Sequence, residues 1–204
     1  MGRADDHTAR ETRFITLQTV DWVDLFIRPV YKQMIVHSLN HFIESKGLVV
    51  YAWCLMTHHL HLLAKSDNNN CIADLENEYR AFTTTKLLEA IDTEPAVRKE
   101  WMLSRFKNYS LFGFGKKLQV WEGSNSSAFV SMKQPELIGH IGYIHQNPLR
   151  DKIVDAPAEY LYSSARDYSG SRGLVQVTKL PAAEQQLAAG EYMQAGFRVH
   201  YIRN

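Results

Sequence analysis

Apolar residues recur along this chain with two different periods, and the points where the period changes mark out its elements. Arg13 to Val23 (Arg-Phe-Ile-Thr-Leu-Gln-Thr-Val-Asp-Trp-Val) is rich in β-branched and aromatic residues in partial alternation, which predicts a first strand. From Pro29 to Ser45, the residues Val30, Met34, Ile35, Leu39 and Phe42 recur at helical spacing, and Lys46-Gly47 supplies the stop. Leu48 to Met56 and Leu60 to Lys65 read as two further strands joined near Thr57, and a polar loop, Ser66 to Asn70, precedes a helix over Ile72 to Ile91. After Asp92-Thr-Glu-Pro95 a second helix is expected from Ala96 to Phe106. Gly113, Gly115, Gly123 and the run Ser124-Asn125-Ser126-Ser127 make the middle irregular, interrupted by a short apolar strand at Leu118 to Trp121. The last helix starts at Pro135, whose fixed φ suits a first helical position, and is expected to end before Pro148. The order strand, helix, strand, strand, helix, short strand, helix is that of an α+β, ferredoxin-like split βαβ sandwich, an antiparallel sheet with helices packed on it.

Residues 1–11 are expected to be a flexible N-terminus, 12–168 one domain, and 169–204, opening with Ser169-Gly-Ser-Arg-Gly173, a C-terminal appendage to which no role is assigned. The 204 residues, 45% apolar and 22% charged, suffice for one well-packed domain. No apolar run approaches the roughly eighteen residues of a membrane span, and the start lacks the apolar core of a signal peptide, so a cytoplasmic protein is expected. Cys54 and Cys71 have no Cys-x-x-Cys spacing, which argues against a disulfide framework or thiolate zinc site. The formal charge of +1 announces no nucleic-acid binding by itself. Its distribution says more: Arg98, Lys99, Arg105, Lys107, Lys116 and Lys117 lie close together against the single acid Glu100. They are interleaved with Trp101, Phe106, Tyr109, Phe112 and Phe114, the chemistry of a surface that binds phosphates and stacks bases. A solvated helix face beside ordinary core aromatics is the plain alternative.

The pattern with most chemical content lies in Cys54-Leu-Met-Thr-His-His-Leu-His-Leu-Leu-Ala-Lys65. Strand side chains alternate faces, so His59 and His61 point one way and Leu60 the other. Two imidazoles on one face of a buried strand make a metal edge or a pair of hydrogen-bonded sheet histidines. About eighty residues on, the helix Pro-Glu-Leu-Ile-Gly-His-Ile-Gly-Tyr-Ile-His-Gln-Asn places Leu137, Ile138, Ile141 and Ile144 on one stripe and Glu136, His140, Tyr143 and Asn147 on another. Tyr143 and Asn147 are neighbours one turn apart. Together with His59 and His61, this second stripe completes an open site of two imidazole nitrogens and one amide oxygen, with a tyrosine hydroxyl nearby. A phenol that ionises near pH 10 is a poor nucleophile unless a cation favours the phenolate. A divalent ion does so while polarising a phosphate, and a histidine-amide site suits Mg²⁺ or Mn²⁺, with zinc left open.

Tyr51-Ala-Trp-Cys-Leu-Met-Thr-His-His-Leu-His-Leu-Leu63 resembles the HUH motif segment of the single-tyrosine HUH transposases, and Tyr143-Ile-His-Gln-Asn-Pro148 resembles their tyrosine helix. Ile153-Val-Asp-Ala-Pro157 and Glu159-Tyr-Leu-Tyr-Ser-Ser-Ala165 are similar to the segment C-terminal to that helix in the REP-associated tyrosine transposase branch, so the likeness spans roughly residues 12 to 168. It implies a ferredoxin-like fold that binds single-stranded DNA, often beside a hairpin, and nicks and rejoins it through a 5′-phosphotyrosine. By position, the resemblance makes Tyr143 the nucleophile and His59, His61 and Asn147 the metal ligands; His140, a turn before Tyr143 on the same face, is either a residue that orients the tyrosine or touches phosphate, or a solvent-exposed histidine. Arg98, Lys99, Arg105 and Lys107 are the expected DNA contacts, and a homodimer is one assembly the resemblance allows. Two departures stand out: His58 replaces the usual asparagine before the motif and should face away from the metal, and Trp121-Glu122 replaces a common Trp-Gln. A one-residue slip in register would pair His58 with Leu60 instead. The rival readings are a hairpin-binding protein that has lost cleavage and a metal-dependent phosphoesterase that uses water.

Overall fold

Helix boundaries come from local chemistry, and strand positions come from burial on two sides. The computed structural model describes residues 11–67, 71–108, 118–123, 126–130 and 134–181. Its elements run β1 (Thr12–Gln18), α1 (Pro29–Lys46), β2 (Leu48–Leu55), β3 (His59–Ser66), α2 (Ile72–Asp92), α3 (Ala96–Asn108), β4 (Ser126–Val130), α4 (Gln134–Arg150) and the short α5 (Ala165–Tyr168). Pro29 opens α1, and Gly47, left-handed at φ 75°, closes it with its N–H on the Phe42 carbonyl.

The sheet order is β2-β3-β1-β4, antiparallel at each pairing, as the split βαβ reading requires. β3 is central and nearly continuous in its burial because both of its faces are covered. On one face, Ile15, Leu17, Trp53, Leu55, Leu60 and Leu62 pack against Ile35, Leu39 and Phe42 of α1 and Leu75, Tyr79 and Leu87 of α2. On the other, Phe14, Ala52, Cys54 and Leu63 meet Leu137, Ile138, Ile141 and Ile144 of α4, the stripe expected from the sequence. A bulge between Val50 and Ala52 turns the consecutive residues Tyr51 and Ala52 toward that second core.

Three boundaries differ from expectation. β1 ends at Gln18 and not at Val23, because the chain then turns through a 3-10 segment, Val20–Trp22, in which Asp21 and Trp22 have φ of 53° and 54°. The fourth strand is Ser126–Val130, not Leu118 to Trp121. Val120 and Trp121 are buried instead: the Trp121 ring stacks on Phe26 at 5.6 Å, its Nε1 donates to Thr83 Oγ1 at 2.8 Å, and the run meets the chain just after β1 in an isolated bridge, Thr19 to Trp121, flanked by Val20 N–H to Val120 O and Glu122 N–H to Gln18 O. Core burial thus accounts for the apolar character of this run. Finally, α4 continues through Pro148 to Arg150. A proline near a helix end forfeits one backbone bond, and here the chain carries on through Asp151 N–H to Asn147 O at 3.1 Å, turns left-handed at Lys152, φ 57°, and closes with Ile153 N–H on Pro148 O at 2.9 Å.

The outer edge of β2 is closed by the segment after α4. Leu55 N–H donates to Tyr162 O at 2.9 Å, Ser164 N–H to Trp53 O at 3.0 Å, Trp53 N–H to Ser164 Oγ at 3.0 Å, and Thr178 N–H to Val50 O at 2.8 Å. The hydroxyls of Tyr160 and Tyr168 reach the carbonyls of Leu55 and Tyr51. Such cover removes the pairing hazard of an open edge. The first part of the expected appendage, residues 169–181, belongs to this packing: Val175 is buried in the α1 core, and Asn40 of α1 holds Leu174 O and Gln176 N–H. Residues 182–204, and residues 1–10 of the expected flexible N-terminus 1–11, lie outside the described residues. Among the described residues no helix is long and apolar enough to cross a membrane.

Candidate active site

The antiparallel register of β1 and β3 sets Thr16 opposite His61 and Gln18 opposite His59. Residues directly opposite share a face, so His59, His61, Thr16 and Phe14 all face α4. The two imidazole rings lie 4.6 Å apart, 8% and 1% exposed. Thr16 Oγ1 and His61 Nδ1 are 2.8 Å apart, which fixes that ring and leaves Nε2 as its other nitrogen. The Nε2 atoms of both histidines are buried without a hydrogen-bond partner. Burial, then the neighbouring His61 and His58, push the pKa of His59 down to about 2, and burial, then His58 and Arg150, push that of His61 to about 3. Both rings are therefore neutral at physiological pH, the form in which imidazole binds metals. Two buried ring nitrogens with no partner are costly unless something engages them, and a divalent cation bound by their lone pairs fits that need.

α4 brings the second constellation to the same face. The Tyr143 ring stands edge-on 5.7 Å from His61 and 5.8 Å from Phe14. Phe14 is a hub: it stacks on His61 at 5.4 Å and touches His140 at 5.3 Å. His140 Nδ1 bonds Glu136 O at 2.8 Å within its own helix. Asn147, 7% exposed, donates Nδ2 to Tyr143 O at 3.0 Å, which leaves its Oδ1 as the atom able to ligate. The contacts thus join His59, His61 and Tyr143 directly and Asn147 to Tyr143 through their helix, all from one chain. His58 turns elsewhere: its Nδ1 is 3.1 Å from Thr57 Oγ1 and 3.5 Å from Asp24, and its ring packs on Trp22 at 5.0 Å, although it also lies 4.7 Å from the His59 ring. Among the described residues no group of three His, Cys, Asp or Glu side chains is placed to hold a metal ion.

Sequence reasoning missed three neighbours. Arg150 sits with its guanidinium 4.6 Å from the centre of the Tyr143 ring. It is seven residues on and so on the same face of α4, a relation hidden by reading Pro148 as the helix end. Thr16 and Phe14 alternate correctly on β1, but only the strand register reveals their partners across the sheet.

Three of the four residues expected to contact DNA are paired with acids of the protein. Arg98 reaches the buried Glu94 at 3.7 Å, Lys99 pairs with Asp92, and Arg105 lies 3.8 Å from Asp21, while Lys107 is exposed. The first two brace the α2–α3 corner. Tyr109, Phe112, Phe114, Lys116 and Lys117 of the expected basic-aromatic cluster lie outside the described residues.

Fold and site together define a class: an α+β sandwich of the ferredoxin-like kind, with paired neutral imidazoles on a central strand facing a helical tyrosine. No protein-family model matches the sequence and no curated protein matches it. A solved structure of a REP-associated tyrosine transposase bound to a REP hairpin is similar to this one, with a TM-score of 0.55 over 89% of this chain and 96% of that chain. At 14% identity, the two share the fold.

Proposed function

We propose that this protein nicks and rejoins single-stranded DNA beside hairpins, as a transposase-type strand transferase, with Tyr143 as nucleophile and a divalent ion, Mg²⁺ or Mn²⁺, held by His59, His61 and Asn147. The observation that carries the reading is the pair of buried, neutral imidazoles whose Nε2 atoms lack a partner and whose rings adjoin Tyr143. A nucleic-acid hairpin enters because the similar structure binds one and because the sequence motifs resemble that family.

When bound, the ion would supply charge neutralisation at the scissile phosphate. The chain's own residues do the rest. Tyr143 Oη forms a bond to phosphorus, the bond from phosphorus to the 3′ oxygen breaks, and the phenol proton ends on the released 3′-hydroxyl. The strand is then held as a 5′-phosphotyrosine, and attack by a 3′-hydroxyl reverses the step. Arg150 over the ring favours the phenolate and offers a donor to the phosphate. Thr16 holds His61 in one orientation. The sheet face and α4 exclude water from the imidazole pair, since both rings are buried.

Incubating the protein with labelled hairpin DNA carrying single-stranded tails, with Mn²⁺ or Mg²⁺, should yield a covalent species on a denaturing gel that is absent with chelator and in Tyr143→Phe. Hairpin binding without any adduct would favour a binding protein that has lost cleavage. Metal-dependent turnover of small phosphoesters that survives Tyr143→Phe would favour the phosphoesterase reading.

A further inference from the structure

Trp22 is a large apolar side chain left 53% exposed, on a backbone that a bulky residue rarely adopts. It and Asp21 are consecutive left-handed residues, φ 54° and 53°, a conformation that carries a steric cost for any residue with a Cβ. The surroundings hold it there. Thr19 Oγ1 bonds Val23 O at 2.9 Å, Thr19 N–H bonds His58 O at 2.9 Å, Val20 N–H bonds Val120 O at 2.9 Å, and Phe26 N–H bonds Thr57 O at 2.8 Å. Val20, Val23, Leu25 and Phe26 are all buried beneath the turn. The anchored residues are thus inside, and the turn presents the Trp22 indole to solvent with Asp21 and Asp24 exposed on either side of it in the chain.

Its position gives that presentation a direction. The Trp22 ring is 5.0 Å from His58, His58 is 4.7 Å from His59, His59 is 4.6 Å from His61, and His61 is 5.7 Å from Tyr143. A continuous row of rings therefore runs from an exposed indole to the phenol that the proposed reaction uses. Next to Trp22 in the chain, Asp21 lies 3.8 Å from Arg105 of α3, a cation whose side chain is half exposed.

We propose that Trp22 is a stacking platform for an unpaired base of the DNA strand whose phosphate is presented to Tyr143. An indole face accepts any base, so the contact positions the strand and carries little sequence preference. This inference rests on the single-stranded DNA reading above and adds to it the residue that holds the strand beside the site.

The test uses the full chain and a fluorescent hairpin oligonucleotide with single-stranded tails, titrated in chelator so that binding is read without cleavage. Trp22→Ala removes the ring. Trp22→Gly removes it and relieves the left-handed backbone, so that a loss of binding shared by both variants is not a loss of folding, which thermal melts confirm. Affinity should fall roughly 5- to 150-fold in both, the range for losing one stacked base. A tail with an abasic site at the stacked position should bind wild type and Trp22→Ala equally. Equal affinity of wild type and both variants for the intact tail, with adduct formation by wild type preserved, overturns the platform while the DNA-processing reading stands. Absence of any binding by wild type overturns both.

Discussion

Replacing Thr16 with valine isolates one atom of the proposed site. Valine keeps the β-branched shape that suits the middle of β1, but removes the hydroxyl 2.8 Å from His61 Nδ1. His61 is 1% exposed and its Nε2 already lacks a partner in the protein, so the variant ring has no hydrogen bond at either nitrogen. A buried polar group left unsatisfied costs about 1–3 kcal/mol, which in a domain of this size lowers the melting temperature by about 2–12 °C in chelator. The second consequence falls on metal binding. Losing the hydrogen bond that orients a ligating histidine typically weakens metal affinity about 10- to 100-fold, or ~1.4–2.7 kcal/mol. Calorimetric titration of Mn²⁺ into wild type, Thr16→Val and Thr16→Ser reads this directly, and the serine variant, which keeps the hydroxyl, should fall near wild type. Unchanged Mn²⁺ affinity in Thr16→Val would refute the argument that this bond aims Nε2 at a cation. No Mn²⁺ or Mg²⁺ binding by wild type would refute the ligand assignment itself.

Arg150→Ala should slow adduct formation about 10- to 100-fold, the scale of losing one charged stabiliser, with Arg150→Lys recovering part of the rate; single-turnover gels measure it, and an unchanged rate removes Arg150 from the mechanism. Ser164→Ala strips the acceptor from Trp53 N–H and the partner from buried His145, which bond its hydroxyl at 3.0 and 2.8 Å, and should destabilise by about 2–4 kcal/mol in urea unfolding; a loss below about 0.5 kcal/mol would deny this network its role in sealing β2. Glu76, 5% exposed, has its pKa raised above the usual carboxylate value of 4.5 by burial, against the pull of Arg80, Ser127 and Arg13. The folded state therefore holds this proton at pH values where the unfolded chain has lost it, and the stability this contributes below pH 4.5 is lost as pH rises through the folded pKa. Glu76→Gln should accordingly gain stability relative to wild type at pH 7 and show no gain at pH 4; a difference independent of pH would refute the assignment. Since His61 and Tyr143 meet within one chain, dilution to the monomer should leave adduct formation per chain unchanged, a point checked by light scattering alongside the gel assay.

The parts legible beforehand share one property: each depends on residues within a turn or two of one another. Pro29 and Gly47 bound α1 through their own backbone preferences. The stripe Leu137, Ile138, Ile141 and Ile144 is buried as its spacing requires, and His59 and His61 share a face because strand geometry leaves no alternative. Reading failed where burial competed with local signals. Leu118 to Trp121 is apolar because Val120 and Trp121 fill the core beside Phe26, and its pairing with Thr19 is an isolated bridge, not a strand of the sheet. Pro148 did not end α4, since a helix near its last turn tolerates the lost bond when packing holds it.

By itself, then, the sequence determined the element order, the two helical faces of α4 and the two-histidine face of β3, all set by periodicities of two or 3.6 residues. Tertiary structure alone decided which groups those faces meet. Thr16 opposite His61 follows from strand register, Tyr143 and Arg150 beside the imidazoles from the docking of α4, and the exposed Trp22 at the end of the ring row from a turn anchored by four buried neighbours. Register and docking are selected by burying both sheet faces at once, a sum over residues far apart in the chain that no local pattern contains.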